Sequence, residues 1–333
     1  MKMTIDTVQH KFAYTNGIRM HYVEAGTGPL VLLCHGWPES WYSWRHQIPA
    51  LAAAGFRVIA PDLRGYGDTE APASIEEYDI LHLASDLVGL VHAVGEDKAI
   101  LVGHDWGSII AGPTALLRPD MFHAVAHLSV PFLPRRAVRP LVRFFNLTRE
   151  KHFYQDYFQQ PGRVERELEE DVRRSLLGIL YSASGDCRRS DASFTFASFP
   201  KNTRMIDNLA IPEKMPAWLT EADIDFFAAQ FRKSGFRGPI NFYRNFDRNW
   251  LLTPFLDKAK LRQPSIFIAG SLDGVLLMAA DEVKSMHENV PNLSGKHIID
   301  GAGHWIQQER PEEVNKLLVD FAEANRNPRQ LFT

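Results

Sequence analysis

Cysteine is scarce in this chain: there are two, Cys34 and Cys187, in 333 residues. Two thiols make no disulfide framework, and no Cys/His cluster with metal-ligand spacing is present, so no metal is expected. So few cysteines fit a reducing compartment, and a cytoplasmic protein is the expectation. Long hydrophobic runs are missing too. The longest strand-like run, Pro29 to Cys34, is far below the ~18 residues of a membrane span. The stretch Met1–His10 is polar and lacks the apolar region of a signal peptide. Charge of one sign is not in excess either. Lys and Arg number 37 against 40 Asp and Glu, a net charge of −3, without the basic surplus of a nucleic-acid binder. No internal repeat or low-complexity stretch occurs. The remaining balance, 45% apolar and 23% charged, is that of a globular protein with ample core. At roughly 100–200 residues per domain, the length allows one or two compact units.

Short apolar runs alternate with helix-period patterns along the first third. Phe12 to Tyr22 reads as a hairpin, because Asn16-Gly17 sits between apolar-alternating arms. Leu30–Cys34, Arg57–Ala60, Ile100–Val102 and Ala124–Ser129 read as buried strands. Ser43–Ala53 and Asp79–Val94 carry helical spacing between them. This alternation predicts a mostly parallel sheet with helices on both faces. It stops after Val130-Pro131. From Leu133 to Trp250 no clear strand appears. Helical patterns cover Arg163–Leu180, Glu221–Lys233 and Gly238–Trp250, with Thr220 and Asp223 as an N-cap pair for the second. The linker Ser182–Pro216 is polar and proline-punctuated. Ser265–Ala269 and Lys296–Asp300 are strands again, and Pro311–Asn325 is an amphipathic closing helix. The chain therefore divides into a core over 1–132, a helical insert over 133–250 and the rest of the core over 251–333. Arg135, Arg136, Arg139 and Arg143 form a basic patch at the start of the insert, read as solvated surface charge.

The most informative stretch is Gly103-His104-Asp105-Trp106-Gly107. A buried strand runs through it into a helix, as at the nucleophile elbow of serine hydrolases, but Asp stands where Ser would be. The chain has no Gly-x-Ser-x-Gly. Asp105 as a plain helix cap is the competing reading. As a nucleophile it carries a definite chemistry. A serine attacking a saturated carbon leaves an ether that water does not readily open. A carboxylate leaves an ester, whose own carbonyl water can attack. The Asp is already anionic, so a histidine is free to activate that water.

In such folds the order along the chain is nucleophile, acid, histidine. Asp273 follows the strand ending at Gly270, and His304 follows the next strand in a glycine-loosened turn. Both lie at the carboxyl ends of strands, where open α/β sheets place their sites. His304 would activate water and Asp273 would orient it. An acid after the strand ending at Ser129 is not available, since Val130 and Pro131 follow. The loop His35-Gly36-Trp37-Pro38 suits an oxyanion hole built from the backbone N–H groups of Trp37 and Trp106. The His35 side chain is read as structural.

Together these residues resemble the epoxide hydrolases of the α/β-hydrolase fold, and the hydrolase domain of soluble epoxide hydrolases of animals and plants in particular. The resemblance runs over H-G-W-P-E-S-W at 35–41, D-L-R-G-Y-G-D-T at 62–69, G-H-D-W-G at 103–107 and G-H-W at 303–305. Those motifs are shared with haloalkane dehalogenases. F-Y-Q-D-Y-F-Q-Q-P-G at 153–162 and N-F-Y-R-N at 241–245 look like the two cap-tyrosine motifs, which are more specific. The resemblance implies an α/β-hydrolase fold with an inserted helical cap. It implies Tyr154 and Tyr243 as the phenols that hold the epoxide oxygen, with Tyr157 competing for the first place. It implies no cofactor, and a small, largely apolar epoxide plus water as the reactants. The N-terminal phosphatase domain of animal relatives has no counterpart at this length, and no phosphatase activity is expected. Dehalogenation, with the Trp106 indole and conceivably that of Trp37 serving a halide, is the alternative, and a non-catalytic binding protein on the same scaffold a third.

Overall fold

The computed structural model describes residues 8–148, 150–187 and 197–327. Met1–Thr7 of the polar N-terminal stretch and residues 188–196 of the linker lie outside the described residues. The hairpin forms as expected: β1 (Gln9–Thr15) and β2 (Ile18–Ala25) pair antiparallel with Thr15 opposite Ile18. Asn16 and Gly17 both take left-handed φ, +45° and +79°, as a two-residue turn between twisted strands requires.

The other strands of the main sheet are β3 (Leu30–Cys34), β4 (Arg57–Pro61), β5 (Ala99–His104) and β6 (Phe122–Leu128). After two short strands β7 (Lys151–Phe153) and β8 (Ser198–Pro200), the sheet resumes with β9 (Ser265–Gly270) and β10 (Leu293–Ile299). Eight strands lie in the order β1-β2-β4-β3-β5-β6-β9-β10. The pairs at the β1 end are antiparallel and the rest parallel. Successive residues of β3 face opposite ways. Leu30, Leu32 and Cys34 join one apolar cluster, Val31 and Leu33 the other. That is why the strand reads as an unbroken apolar run; each such Leu or Val, fully buried, contributes about 1.5–3 kcal/mol.

Helices α1 (Gln47–Ala53), α2 (Ile80–Ala93) and α3 (Trp106–Leu117) cover the sheet. Asp79 starts α2 by accepting the N–H groups of Leu81 and His82. Between β6 and β9 the chain builds α4 (Pro140–Leu147), α5 (Tyr154–Tyr157), α6 (Arg163–Glu170), α7 (Val172–Ser182), α8 (Glu221–Ser234), α9 (Arg237–Arg244) and α10 (Phe246–Leu252). Three short helices, α11 (Gly274–Met278), α12 (Ala280–Lys284) and α13 (Met286–Asn289), follow β9. Helices α14 (Ile306–Glu309) and α15 (Pro311–Ala324) close the chain. The capping box of Thr220 with Asp223 at the start of α8 is present.

The insert departs from the sequence reading in three places. The insert holds a two-stranded pair, β7 with β8, whose three-residue strands are too short to show a period of two. The helix expected over Arg163–Leu180 breaks at Asp171, whose extended backbone (φ −148°) lets its carboxylate cap α7 at the N–H of Arg174. The helix expected over Gly238–Trp250 breaks at Asn245, whose amide donates across to the Ile75 carbonyl. The insert has no core of its own: Phe158, Leu168, Phe227 and Tyr243 belong to the same apolar cluster as Leu32 and Leu101 of the sheet. No helix among the described residues is long and apolar enough to cross a membrane.

Candidate active site

Strand β5 ends at His104, and α3 begins at Trp106. Asp105 makes the turn between them with φ +50° and ψ −114°, a conformation that L residues rarely adopt. The flanking glycines permit it. A Cβ on Gly103 would strike the Gly107 backbone, and one on Gly107 would strike the Cys34 carbonyl. The Asp105 carboxylate is thereby lifted to the carboxyl end of the sheet, facing the insert. Its Oδ1 accepts the Trp37 N–H at 2.9 Å. Trp106 opens α3, so its N–H has no acceptor within the helix. Of the two amides expected to form an oxyanion hole, that of Trp37 holds the carboxylate and that of Trp106 opens the helix next to it.

His304 stands on the other side. Its Nε2 is 3.5 Å from Asp105 Oδ2, and its Nδ1 is 3.1 Å from both carboxylate oxygens of Asp273. Asp273 is wholly buried and also caps α11 through the Val275 N–H at 2.8 Å. Burial works against a charged imidazole, but the Asp273 charge, together with the hydrogen bonds and charge of Asp105, holds the His304 pKa well above its usual value. The three residues that the sequence places about 30 and 170 positions apart therefore meet within hydrogen-bonding reach.

Two phenols come from the chain between β6 and β9. Tyr154 and Tyr243 are both buried, with ring centroids 5.8 Å apart. Tyr243 packs edge-on against Trp106 at 5.0 Å and against Trp37 at 5.8 Å. Burial raises the pKa of both phenols, and the Asp105 charge raises both further. Tyr157 is turned elsewhere. Its hydroxyl hydrogen-bonds the buried Glu167, and its ring lies against His152 and Phe199.

Several buried groups under the site escaped the sequence reading. Glu39 accepts hydrogen bonds from the Gly36 N–H, from the Gln307 and Gln308 amides, and from His104 Nδ1 at 2.6 Å. His104 Nε2 in turn donates to the His304 carbonyl at 2.8 Å, where the Ser129 hydroxyl also donates. Both nitrogens of His104 thus face acceptors. The His304 loop is further pinned to the end of α7. The His304 N–H donates to Ala183 O, the Trp305 indole to Leu180 O, and Glu309 accepts the N–H groups of Gly185, Gly303 and Trp305. Glu39 and His104 sit inside the motifs at 35–41 and 103–107. Their types were legible, but their pairing across 65 positions was not.

Burial opposes the Glu39 charge, yet His104 and the Gly36 N–H hold its pKa down to about 2. A depressed carboxylate pKa stabilises the folded state above the ordinary value and loses that contribution as pH falls through the folded one. Glu39→Gln is therefore expected to cost on the order of 3 kcal/mol at pH 7, with the deficit shrinking below about pH 4.5. Urea unfolding of both proteins at pH 7 and pH 3 measures this; a deficit equal at both values would remove the charge pairing as its cause.

His35 is structural, as expected: Nδ1 lies 2.9 Å from the Gly36 carbonyl, and Nε2 accepts the Leu63 N–H at 3.0 Å. Of the arginine patch, Arg139 and Arg143 are exposed as expected, while Arg135 and Arg136 are partly covered. Arg135 lies over the Trp250 ring at 4.0 Å, and Arg136 pairs with Glu282. With Arg143 they rim a cleft of about 290 Å³ between α3 and the insert that reaches Trp106, Gln155 and Phe246. One group of metal-capable side chains exists among the described residues, His21 with Asp62 and Asp68. Asp62 there is occupied by the His21 ring and the N–H groups of Trp41 and Asp68, which makes it the clasp of the 62–69 turn.

An Asp elbow on a doubly covered, mostly parallel sheet, with a His and an Asp after later strands, defines a hydrolase of the α/β class. The family model described as alpha/beta hydrolase fold matches residues 29–311. Epoxide hydrolase A of Mycobacterium tuberculosis is 45% identical over 92% of this chain and 95% of its own length. Epoxide hydrolase 3 of Siraitia grosvenorii is 43% identical over 95% and 99%. The solved structure of an epoxide hydrolase from an endophytic Streptomyces superposes with a TM-score of 0.93 at 47% identity, covering 96% of both chains. The chain belongs to the epoxide hydrolases of the α/β-hydrolase fold.

Proposed function

We propose that this enzyme converts a small, largely apolar epoxide and water to a vicinal diol through an ester on Asp105, under a lid formed by residues 133–250. The observation that carries this reading is the pair of buried phenols, Tyr154 and Tyr243, set against the same carboxylate that His304 faces. Asp105 Oδ2 attacks one ring carbon, the carbon–oxygen bond of the ring breaks, and the oxygen takes the electron pair. The phenols hydrogen-bond that oxygen and supply its proton. Esterification removes the Asp105 charge, one of the two that keep the proton on His304. His304 then gives up that proton, restoring the spent phenol, and becomes the base for water. Water adds to the ester carbonyl, whose developing oxyanion lies at the Trp37 and Trp106 amides. Collapse expels the second diol oxygen as an alkoxide, which takes the remaining proton of the added water; the diol leaves and Asp105 carboxylate and His304 imidazolium are restored, so atoms and charge balance. The Trp106 indole stands edge-on to the Tyr243 ring at 5.0 Å, so the indole that a halide would need is set against a phenol.

A single turnover of excess enzyme in oxygen-18 water tests the reading. The first diol should be unlabelled, because its new oxygen comes from Asp105, and label should appear in the Asp105 carboxylate. Label in the first diol would mean direct attack by water and would sink the covalent route.

A further inference from the structure

We infer that Gln155 is a positioning residue that selects Tyr154, rather than Tyr243, as the phenol that surrenders its proton; the inference rests on the epoxide reading above. Gln155 follows Tyr154 directly at the start of α5, and its side-chain amide turns back to donate to the Tyr154 hydroxyl oxygen at 2.8 Å. The same side chain lines the cleft that runs from the arginine rim to Trp106. A donor on the phenol oxygen has two consequences. The Tyr154 proton is not spent on Gln155 nitrogen and is turned toward the site. When that proton leaves, the amide N–H remains on the phenolate, where a bond to a charged acceptor is about twice as strong as to a neutral one.

Tyr243 has poorer support for a negative charge. It is only 2% exposed and is caged by the rings of Trp37, Trp106, Tyr154, Phe158 and Phe246. Those ring contacts present faces and edges rather than an amide dipole. Proton transfer from Tyr243 would strand a phenolate in an apolar cage, whereas transfer from Tyr154 leaves one held by Gln155. Tyr243 keeps its proton and stays a hydrogen-bond donor to the ring oxygen. In the balanced cycle, the phenolate that His304 restores is then Tyr154.

Rates of enzyme alkylation under single turnover, in Gln155→Leu alone and combined with Tyr154→Phe or Tyr243→Phe, test this. Wild-type diol formation is the control: if the wild type opens no epoxide, the functional reading fails, not this one. Gln155→Leu is expected to slow alkylation about tenfold, the size of effect of one lost hydrogen bond to a charged group, and to leave hydrolysis of a preformed ester unchanged. In the Tyr243→Phe background the same tenfold loss should remain. In the Tyr154→Phe background Gln155→Leu should cost nothing more, because the residue it acts through is gone. A structural role would instead cost the same in every background, and that result overturns the assignment, as does a full-rate Gln155→Leu enzyme. Gln155→Glu supplies a second readout. Its ionised carboxyl would accept the Tyr154 proton and block transfer, then donate again once protonated. Alkylation should therefore recover as pH falls through about 4–6, opposite to the parent enzyme; no such recovery in a folded variant counts against the inference.

Discussion

Asp105→Ala is expected to form no diol at a measurable rate, a loss of at least about 10⁴-fold in kcat, in line with the removal of a covalent nucleophile elsewhere. No neighbour can substitute. Asp273 is wholly buried, held by His304 and by the start of α11. Glu39 is wholly buried with four hydrogen bonds of its own. Water alone would have to attack the ring carbon itself, with no ester carbonyl set at the Trp37 amide. The fold should survive, since Asp105 bears the strain of a φ of +50° and its side chain supports one backbone amide only. Chromatographic assay of diol, with circular dichroism to verify folding, measures the effect. Activity within a hundredfold of wild type would show that Asp105 is a helix cap and not the nucleophile.

His304→Gln should separate the two half-reactions. Asp105 is already anionic, so attack on the epoxide needs no base, and the variant is expected to alkylate once. Hydrolysis of the ester needs a proton acceptor at the water, and glutamine is none. Steady-state turnover should fall about 10³- to 10⁴-fold while one equivalent of ester accumulates, visible by intact-protein mass spectrometry as the enzyme plus the whole substrate mass. An enzyme that stays unmodified while losing turnover would place His304 in the first step instead. The pH dependence of stability should change as well. A raised histidine pKa stabilises the folded state fully below its unfolded value and loses that contribution as pH rises through the folded one. The wild type should thus lose stability on the alkaline side through His304, and the variant should not.

Much of the core was legible residue by residue. Strand β3 begins and ends where the apolar run does, because both faces of the strand are covered and no polar position interrupts it. The elbow was legible because its requirements are local: a strand, two glycines that the backbone crowds, and a helix within five positions. The order Asp105, Asp273, His304 was legible because each acid or base sits at the end of its own strand, and strands announce themselves. The insert was harder. Its helices break at Asp171 and Asn245 through side-chain bonds that helix periodicity does not register. Its two three-residue strands, over forty residues apart, make a sheet of their own.

The sequence by itself therefore determined the α/β core, the turn that carries Asp105 and the chain order of its partners, since each follows from the chemistry of neighbouring residues. Tertiary structure alone decided which tyrosine of the first cap motif turns to the site. Tyr157 finds Glu167 ten positions on, while Tyr154 meets Tyr243 and lies in the field of Asp105. It alone joined Glu39 to His104 and His104 to the carbonyl of His304, 200 residues away. Such pairings rest on hydrogen bonds closed between distant segments in a buried site, and no spacing along the chain records a contact that only packing creates.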